Sequence, residues 1–367
     1  MNPEPVLAID DLRTYFYSRS KRAFIRSVDG ISLEVEKGEM LGIVGESGSG
    51  KSITAMSIMG LVNADPGVIT GKIRFKTKSV YQDLLPDLKN YVRVHMHSGK
   101  IMEVYKDNNG WQKKIDRIMH HIRGREISMI FQNPKISMNP FITIGKQITE
   151  SIMLNTGIKN RSEAKERALY WLDRVKIDSP GLRYNNNPYG LSGGMCQRAM
   201  IAMALSSEPD LLIADEPTTG LDATIQSKIV DLLAELKSTL RVTTMLISHD
   251  INVIRELSDK VAVMYGGTVL EHGPAKDVLS PGYKYKHPYT AALLASIPSE
   301  EHVRKKGYLQ AIEGDVLDTI NIPAGCRFCD RCNRVTDKIG EQCKHGEPEL
   351  ENVSSEHKIR CWLYSGS

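Results

Sequence analysis

The chain has 367 residues, 41% apolar and 25% charged, with a net charge of +4. That balance is ordinary for a globular protein long enough for two domains, or for one domain with large additions. It contains no apolar run long enough to cross a bilayer, its charge is too weak to point to a nucleic-acid partner, and its acidic, proline-broken start (MNPEPVLAIDDLR) does not read as a signal peptide.

In chain order, VLAIDDLRTYFY and GISLEVEKGEMLGIVG predict strands from their β-branched and alternating apolar positions. GESGSGKS overlaps the end of the second, and ITAMSIMGLV follows as an apolar helix. VITGKIRF and EISMIF return to strand. Between them, residues 76–123 hold ten Lys/Arg against five Asp/Glu, an excess larger than that of the whole chain. In this basic segment YVRVHMHSGKIMEVYKDNNG predicts two strands joined at His-Ser-Gly and closed at Asn-Asn-Gly. WQKKIDRIMHHI then has helical spacing at Trp111, Ile115, Ile118 and Ile122. IGKQITESIML, RSEAKERALYWLDRV and LSGGMCQRAMIAMALSSEP predict helices. DLLIADEP and TTMLISHD are continuous apolar strands of the kind buried on both faces of a parallel sheet. Strands alternating with helices indicate an α/β fold. Beyond about residue 280 the chain is proline-rich and loop-like.

GESGSGKS matches the P-loop pattern, with a strand before it and a helix after it. Backbone N–H groups across Gly45, Glu46, Ser47, Gly48, Ser49 and Gly50 would cradle phosphates, helped by the helix dipole, with Ile53 just beyond. Lys51 would reach the β- and γ-phosphates of ATP, and the Ser52 hydroxyl would ligate Mg²⁺. LLIADE delivers Asp215 to the metal's shell and Glu216 to the γ-phosphate, where a carboxylate can orient the attacking water.

LSGGMCQ, lying upstream of DEP, resembles the ABC-transporter signature. Gln132 in MIFQNP resembles the Q-loop, Leu221 and Asp222 in TTGLDATIQ the D-loop, and His249 in LISHD the switch histidine. Phe16 matches the aromatic that stacks on adenine, with Tyr15 and Tyr17 as competitors. The resemblance implies that Glu216, His249 and Gln132 act in catalysis. It also implies that Ser192, Gly193, Gly194 and Gln197 bind the ATP held by a second subunit's P-loop, with Asp222 beside them. The implied fold is a RecA-like core with an antiparallel β subdomain and an α-helical signature subdomain.

GREISMIFQNPKISMNPFITIGKQITE, MCQRAMIAMALSSEPDLLIADEPTTGLDATIQ and HPYTAALLASIP resemble, more narrowly, the ATPase subunits of oligopeptide/dipeptide importers. The family implies ATP-driven import by a complex of two membrane permeases, a second, homologous ATPase subunit and an extracellular peptide-binding protein. It implies a peripheral location on the cytoplasmic face of a bacterial membrane. Nickel or another small solute is the alternative cargo, and an ABC ATPase without a permease is the alternative function. Expected boundaries are a nucleotide-binding domain over 1–280, with the basic insertion at about 76–121 and a helical subdomain at about 135–205. A small, loop-rich, metal-binding extension is expected over 281–367.

Three departures from the family pattern stand out. Cys196 replaces the usual arginine of the signature, Gly220 replaces the alanine of TTALD, and the basic insertion replaces a shorter connection. The insertion reads as a solvated surface hairpin, since long surface insertions cost little.

Five of the six cysteines lie in the last 42 residues, and three of them form CRFCDRC. A cysteine cluster in a cytosolic chain favours metal over disulfide, and both zinc and iron–sulfur ligation fit the C-x2-C spacing. The family resemblance implies Cys326, Cys332, Cys343 and Cys361 as ligands of a [4Fe-4S] cluster, with zinc as the alternative and Cys329 as a nearby spare.

Overall fold

The computed structural model describes residues 4–63, 67–77, 80–97, 100–297, 312–337 and 339–365. Fourteen strands are found among them: β1 (Leu7–Ser18), β2 (Ala23–Val35), β3 (Met40–Val44), β4 (Gly67–Lys76), β5 (Tyr81–Asp83), β6 (Val92–His97), β7 (Lys100–Lys106), β8 (Ile127–Ile130), β9 (Leu211–Asp215), β10 (Thr243–Ile247), β11 (Lys260–Tyr265), β12 (Thr268–Pro274), β13 (Glu351–Asn352) and β14 (Lys358–Ile359). The helices are α1 (Lys51–Ile58), α2 (Asn108–Met119), α3 (Pro134–Ser137), α4 (Ile144–Asn155), α5 (Arg161–Arg174), α6 (Pro180–Arg183), α7 (Gly193–Leu205), α8 (Ala223–Leu240), α9 (Ile251–Leu257), α10 (Ala275–Val278), α11 (Pro288–Ala295) and α12 (Gly340–His345).

The core sheet runs in the order β13-β14-β12-β11-β3-β10-β9-β8. Its five strands from β11 to β8 are parallel. Every residue of β3, β8, β9 and β10 is buried, as expected of a parallel sheet covered on both faces. Helix α1 leaves the end of β3 near the middle of this sheet, where the crevice outside strand ends binds ligands. A second sheet, β2-β1-β4-β5, is antiparallel. It packs on the core sheet through one apolar cluster shared by Leu7, Ile31, Ile73, Leu41, Ile213 and Met245.

Helices α3 to α7 pack on one another. Ile144, Ile148 and Ile152 of α4, spaced four apart on one face, meet Ala164, Ala168, Trp171 and Leu172 of α5. Asn160 starts α5 by accepting from the N–H groups of Ser162 (2.8 Å) and Glu163 (3.4 Å).

The basic insertion differs from expectation in two ways. Asn108-Asn-Gly does not close the β6–β7 hairpin; it is the first turn of α2, because the Asp107 carboxylate caps the helix by accepting from Gly110 N–H at 2.9 Å. The segment is also not simply a solvated hairpin. Leu84, Leu85, Trp111, Ile115, Met119 and Ile122 are buried in the cluster beneath the antiparallel sheet. Lys113, Lys114 and Arg117 lie on the exposed side of α2. The predicted His-Ser-Gly joint lies partly outside the described residues, as do the side chains of His95 and His97.

The C-terminal part of the chain docks on the core sheet. β14 pairs with β12 through Glu271↔Ile359 and His272↔Lys358, so the last strands of the chain close one edge of the core sheet. Glu271 is fully buried and holds two parts of the extension. One of its oxygens lies 2.8 Å from His357 Nε2, and the other accepts from the N–H of His287, the residue before α11, also at 2.8 Å. Arg327, also buried, donates to Asp29 (2.9 Å), to the Gly266 carbonyl (2.7 Å) and to Glu347 (3.0 Å).

Candidate active site

The P-loop turns between β3 and α1. Gly50 starts α1 at φ 100°, and a Cβ there would stand 2.3 Å from the Ser27 carbonyl, so only glycine fits. The Lys51 ammonium is buried and donates to the carbonyls of Gly45 (2.8 Å) and Glu46 (2.9 Å). Burial lowers its pKa, against the pull of Glu216, Asp215 and Glu46. Ser52 Oγ donates to Asp215 at 3.0 Å. Burial raises the Asp215 pKa, while Ser52 and Lys51 oppose the rise. Two hard oxygen donors side by side at a phosphate loop fit Mg²⁺. Ile53 is half-buried against the core.

Glu216 follows β9 and is the focus of the site. Its carboxylate Oε2 accepts from Gln132 Nε2 (2.7 Å) and Thr219 Oγ (2.8 Å), and His249 Nδ1 lies 3.4 Å away. Its backbone sits at φ 47°, an unfavourable conformation for glutamate, and its N–H donates to the Ile247 carbonyl at 2.8 Å. Side chains from three segments, Glu216's own among them, thus converge on one carboxylate. Three of these residues stand in the predicted motifs. Thr219 was not singled out by the sequence reading, although it lies three residues after Glu216 inside the same stretch.

The three aromatics of β1 differ in their partners. The Tyr15 hydroxyl donates to Asp29, and the rings of Tyr15 and Tyr17 both pack on Phe24, at 5.9 and 5.3 Å. Phe16 alternates to the other face, which it shares with Thr14, whose hydroxyl meets Ser57 of α1 at 2.9 Å.

The signature splits. Ser192 is exposed and caps α7 by accepting from Met195 N–H at 3.3 Å, with Gly193 and Gly194 in the first turn. Asp222, also exposed, caps α8 by accepting from Ile225 N–H at 3.0 Å. Gln197 does not join them. It is 2% exposed on the inner face of α7, so the expected contact with a nucleotide on another subunit is not available to it as placed. Cys196 is buried, and its thiol donates to the Pro188 carbonyl at 3.0 Å. Gly220 takes φ 76°, a conformation that an alanine resists.

In the extension, Cys326, Cys343 and Cys361 are buried, Cys332 is half-buried and all are free thiols. Burial pushes the Cys326 thiol up to about 12 and the Cys361 thiol up to about 11; Cys332 and Cys343 reinforce both. The four therefore share one patch, and Cys326 N–H donates to the Cys343 carbonyl at 2.8 Å. Among the described residues, however, no three His, Cys, Asp or Glu side chains are close enough to hold a metal ion. The expected metal site is thus not shown among these side chains. What CRFCDRC visibly supplies is the residues between its cysteines. Phe328 packs edge-on to Tyr265 at 5.4 Å, Arg327 binds Asp29, and Arg331 binds Glu46 of the P-loop.

Family models match the chain twice: the ABC transporter model over residues 28–219, and the oligopeptide/dipeptide transporter C-terminal region over 270–338. The oligopeptide transport ATP-binding protein AppD of Bacillus subtilis (strain 168) is 40% identical over 361 residues, covering 98% of this chain and 97% of that protein. The dipeptide transport ATP-binding protein DppD of Escherichia coli (strain K12) is 38% identical over 356 residues, covering 97% and 96%. Among solved structures, the dimeric bacterial ABC transporter cassette MJ0796 matches with a TM-score of 0.55 at 23% identity, covering 73% of this chain and 98% of that one. CbiO1 of Clostridium perfringens matches with a TM-score of 0.53 at 24% identity, covering 75% and 90%. With a P-loop, a gathered Glu216 and near full-length relatives on both sides of the insertion, the chain belongs to the ABC transporter ATP-binding family, in the branch that carries the oligopeptide/dipeptide transporter C-terminal region.

Proposed function

We propose that the chain is the ATP-binding and ATP-hydrolysing subunit of an importer that moves oligopeptides or dipeptides across the cytoplasmic membrane. The observation that carries the reading is the Glu216 carboxylate, held by Gln132, Thr219 and His249 beside the Ser52–Asp215 pair. Phe16 stacks on adenine. The P-loop from Gly45 to Ser52 wraps the phosphates, and Lys51 exchanges its two carbonyl partners for phosphate oxygens. Glu216 orients a water whose oxygen bonds to the γ-phosphorus as the bond to the bridging oxygen breaks, giving ADP and phosphate. Gln132 fixes that water and couples the site to the helical subdomain, and His249 senses the γ-phosphate. Ser52 and Asp215 would hold Mg²⁺, which neutralises phosphate charge when bound.

Partners follow from what is exposed. Ser192 and Asp222 cap helices at the surface, where a second, homologous ATPase subunit would bring its nucleotide to them. Two permeases and an extracellular peptide-binding protein complete the importer, with this subunit peripheral on the cytoplasmic face. No helix among the described residues is long and apolar enough to cross a membrane. The proposed extension (281–367) carries Cys326, Cys332, Cys343 and Cys361 as ligands of a [4Fe-4S] cluster. Zinc is the alternative for the same four thiols.

Co-purification with permeases and measurement of ATP-dependent uptake of labelled peptides tests the reading. Permease-stimulated ATPase activity with peptide uptake is expected; nickel uptake without peptide uptake redirects the cargo. Elemental analysis tests the cluster. Iron that is lost in Cys343→Ser and kept in Cys329→Ser is expected, and metal-free protein refutes it.

A further inference from the structure

The P-loop residue Glu46 is held almost entirely by residues from the far end of the chain. Arg331 grips its carboxylate with both prongs of the guanidinium, Nη1 to Oε2 at 2.7 Å and Nη2 to Oε1 at 3.0 Å. The Glu46 N–H donates to the Tyr289 hydroxyl at 2.9 Å. The remaining polar group, the Glu46 carbonyl, accepts from Lys51, the lysine that serves the phosphates.

Arg331 is not a casual surface contact. Its side chain is 5% exposed. Nε donates to the Glu313 carbonyl at 3.0 Å, and Nη1 also approaches the Tyr265 hydroxyl at 3.3 Å. The guanidinium lies over the rings of Tyr265 and Phe328, at 5.7 and 6.0 Å from their centroids. A fork held on three sides leaves Glu46 little freedom, and a bidentate charged pair is among the strongest hydrogen-bonded contacts a side chain makes.

Glu46 presents a particular problem to a nucleotide. A free carboxylate in a phosphate-binding loop repels the phosphates and competes for Lys51, on which it already acts electrostatically. Arg331 offsets both effects by pairing with the carboxylate through both prongs of its guanidinium.

We propose that Arg331 is a positioning residue of the ATP site: from the C-terminal extension it fixes and neutralises Glu46, so that the P-loop is shaped for nucleotide only while the extension is docked. The proposal rests on the ATP-site reading above.

The test uses the full chain and Mg-ATP. Arg331→Met raises the Kd and KM for ATP roughly tenfold, the scale of one charge-assisted hydrogen bond, with a much smaller change in kcat. Arg331→Lys, which keeps the charge and loses the fork, falls between. The decisive variant is Glu46→Gln in the Arg331→Met background. Removal of the carboxylate restores ATP affinity if neutralisation is what Arg331 supplies. Unchanged ATP affinity in Arg331→Met overturns the proposal. So does a loss that Glu46→Gln fails to restore, which marks Arg331 as a purely structural tie. Failure of the underlying reading looks different: wild-type protein does not bind ATP, or Lys51→Met binds it equally well.

Discussion

At the scale of single residues, the site is a set of hydrogen bonds converging on Glu216, and its chemistry follows from their loss. Glu216→Gln keeps the volume and removes the base. Turnover falls by roughly 10²–10⁴-fold, as for removal of a general base, while ATP binding persists; single-turnover kinetics beside equilibrium ATP binding checks both. Thr219→Val leaves Gln132 and His249 in place but removes one of the carboxylate's donors, and a roughly tenfold fall in kcat is expected for loss of one hydrogen bond to a charged group. The sequence made most of these residues legible because each stands at fixed spacing within a short motif. Arg331 was not legible. Its partner lies 285 residues away, and the cysteines on either side of it carried a louder pattern. Gln197 sits in the motif, and helical periodicity turns it towards the core.

Among the elements, the insertion is the instructive case. Trp111, Ile115, Ile118 and Ile122 were readable as helically spaced, although Met119 rather than the half-buried Ile118 completes the buried face, and Asn-Asn-Gly resembled a turn because nothing local shows that Asp107 caps a helix. That face is fully buried, so α2 helps hold the antiparallel sheet down. Trp111→Ala is expected to destabilise by about 3–5 kcal/mol, as for other buried aromatic truncations, whereas Lys113→Ala on the exposed face shifts stability by less than about 0.5 kcal/mol. Urea unfolding of both distinguishes a packed helix from a dispensable ornament. Deleting the whole segment from 78 to 119 removes Leu84, Leu85 and Trp111 together, so a transport defect in that deletion reports lost packing before it reports a lost contact.

Across the molecule, the extension is tied to the core by buried charge. Arg327 and Asp29 are 5% and 4% exposed, and removing one partner strands the other in the interior. Arg327→Met is expected to cost about 3–5 kcal/mol and to expose the extension to limited proteolysis. The pH dependence has a definite sign. Burial alone would raise the Asp29 pKa, but the Tyr15 hydroxyl and the Arg327 and Arg13 guanidiniums outweigh it and hold the carboxyl below its ordinary 3.8. A lowered carboxyl stabilises the folded state at pH values above its unfolded pKa, and that support is lost as pH falls through the folded value. Protease resistance of the extension should therefore be flat down to about pH 4 and decline only below it, and this acid limb should shrink in Arg327→Met. The Glu46–Arg331 tie also has a consequence in time. Synthesis proceeds from the N-terminus at about 5–20 residues per second, so over their separation of 285 residues the P-loop is made roughly a quarter-minute to a minute before its clamp. A ribosome-bound or prematurely terminated chain therefore carries a complete phosphate motif with an untethered Glu46, and tight ATP binding marks a finished polypeptide.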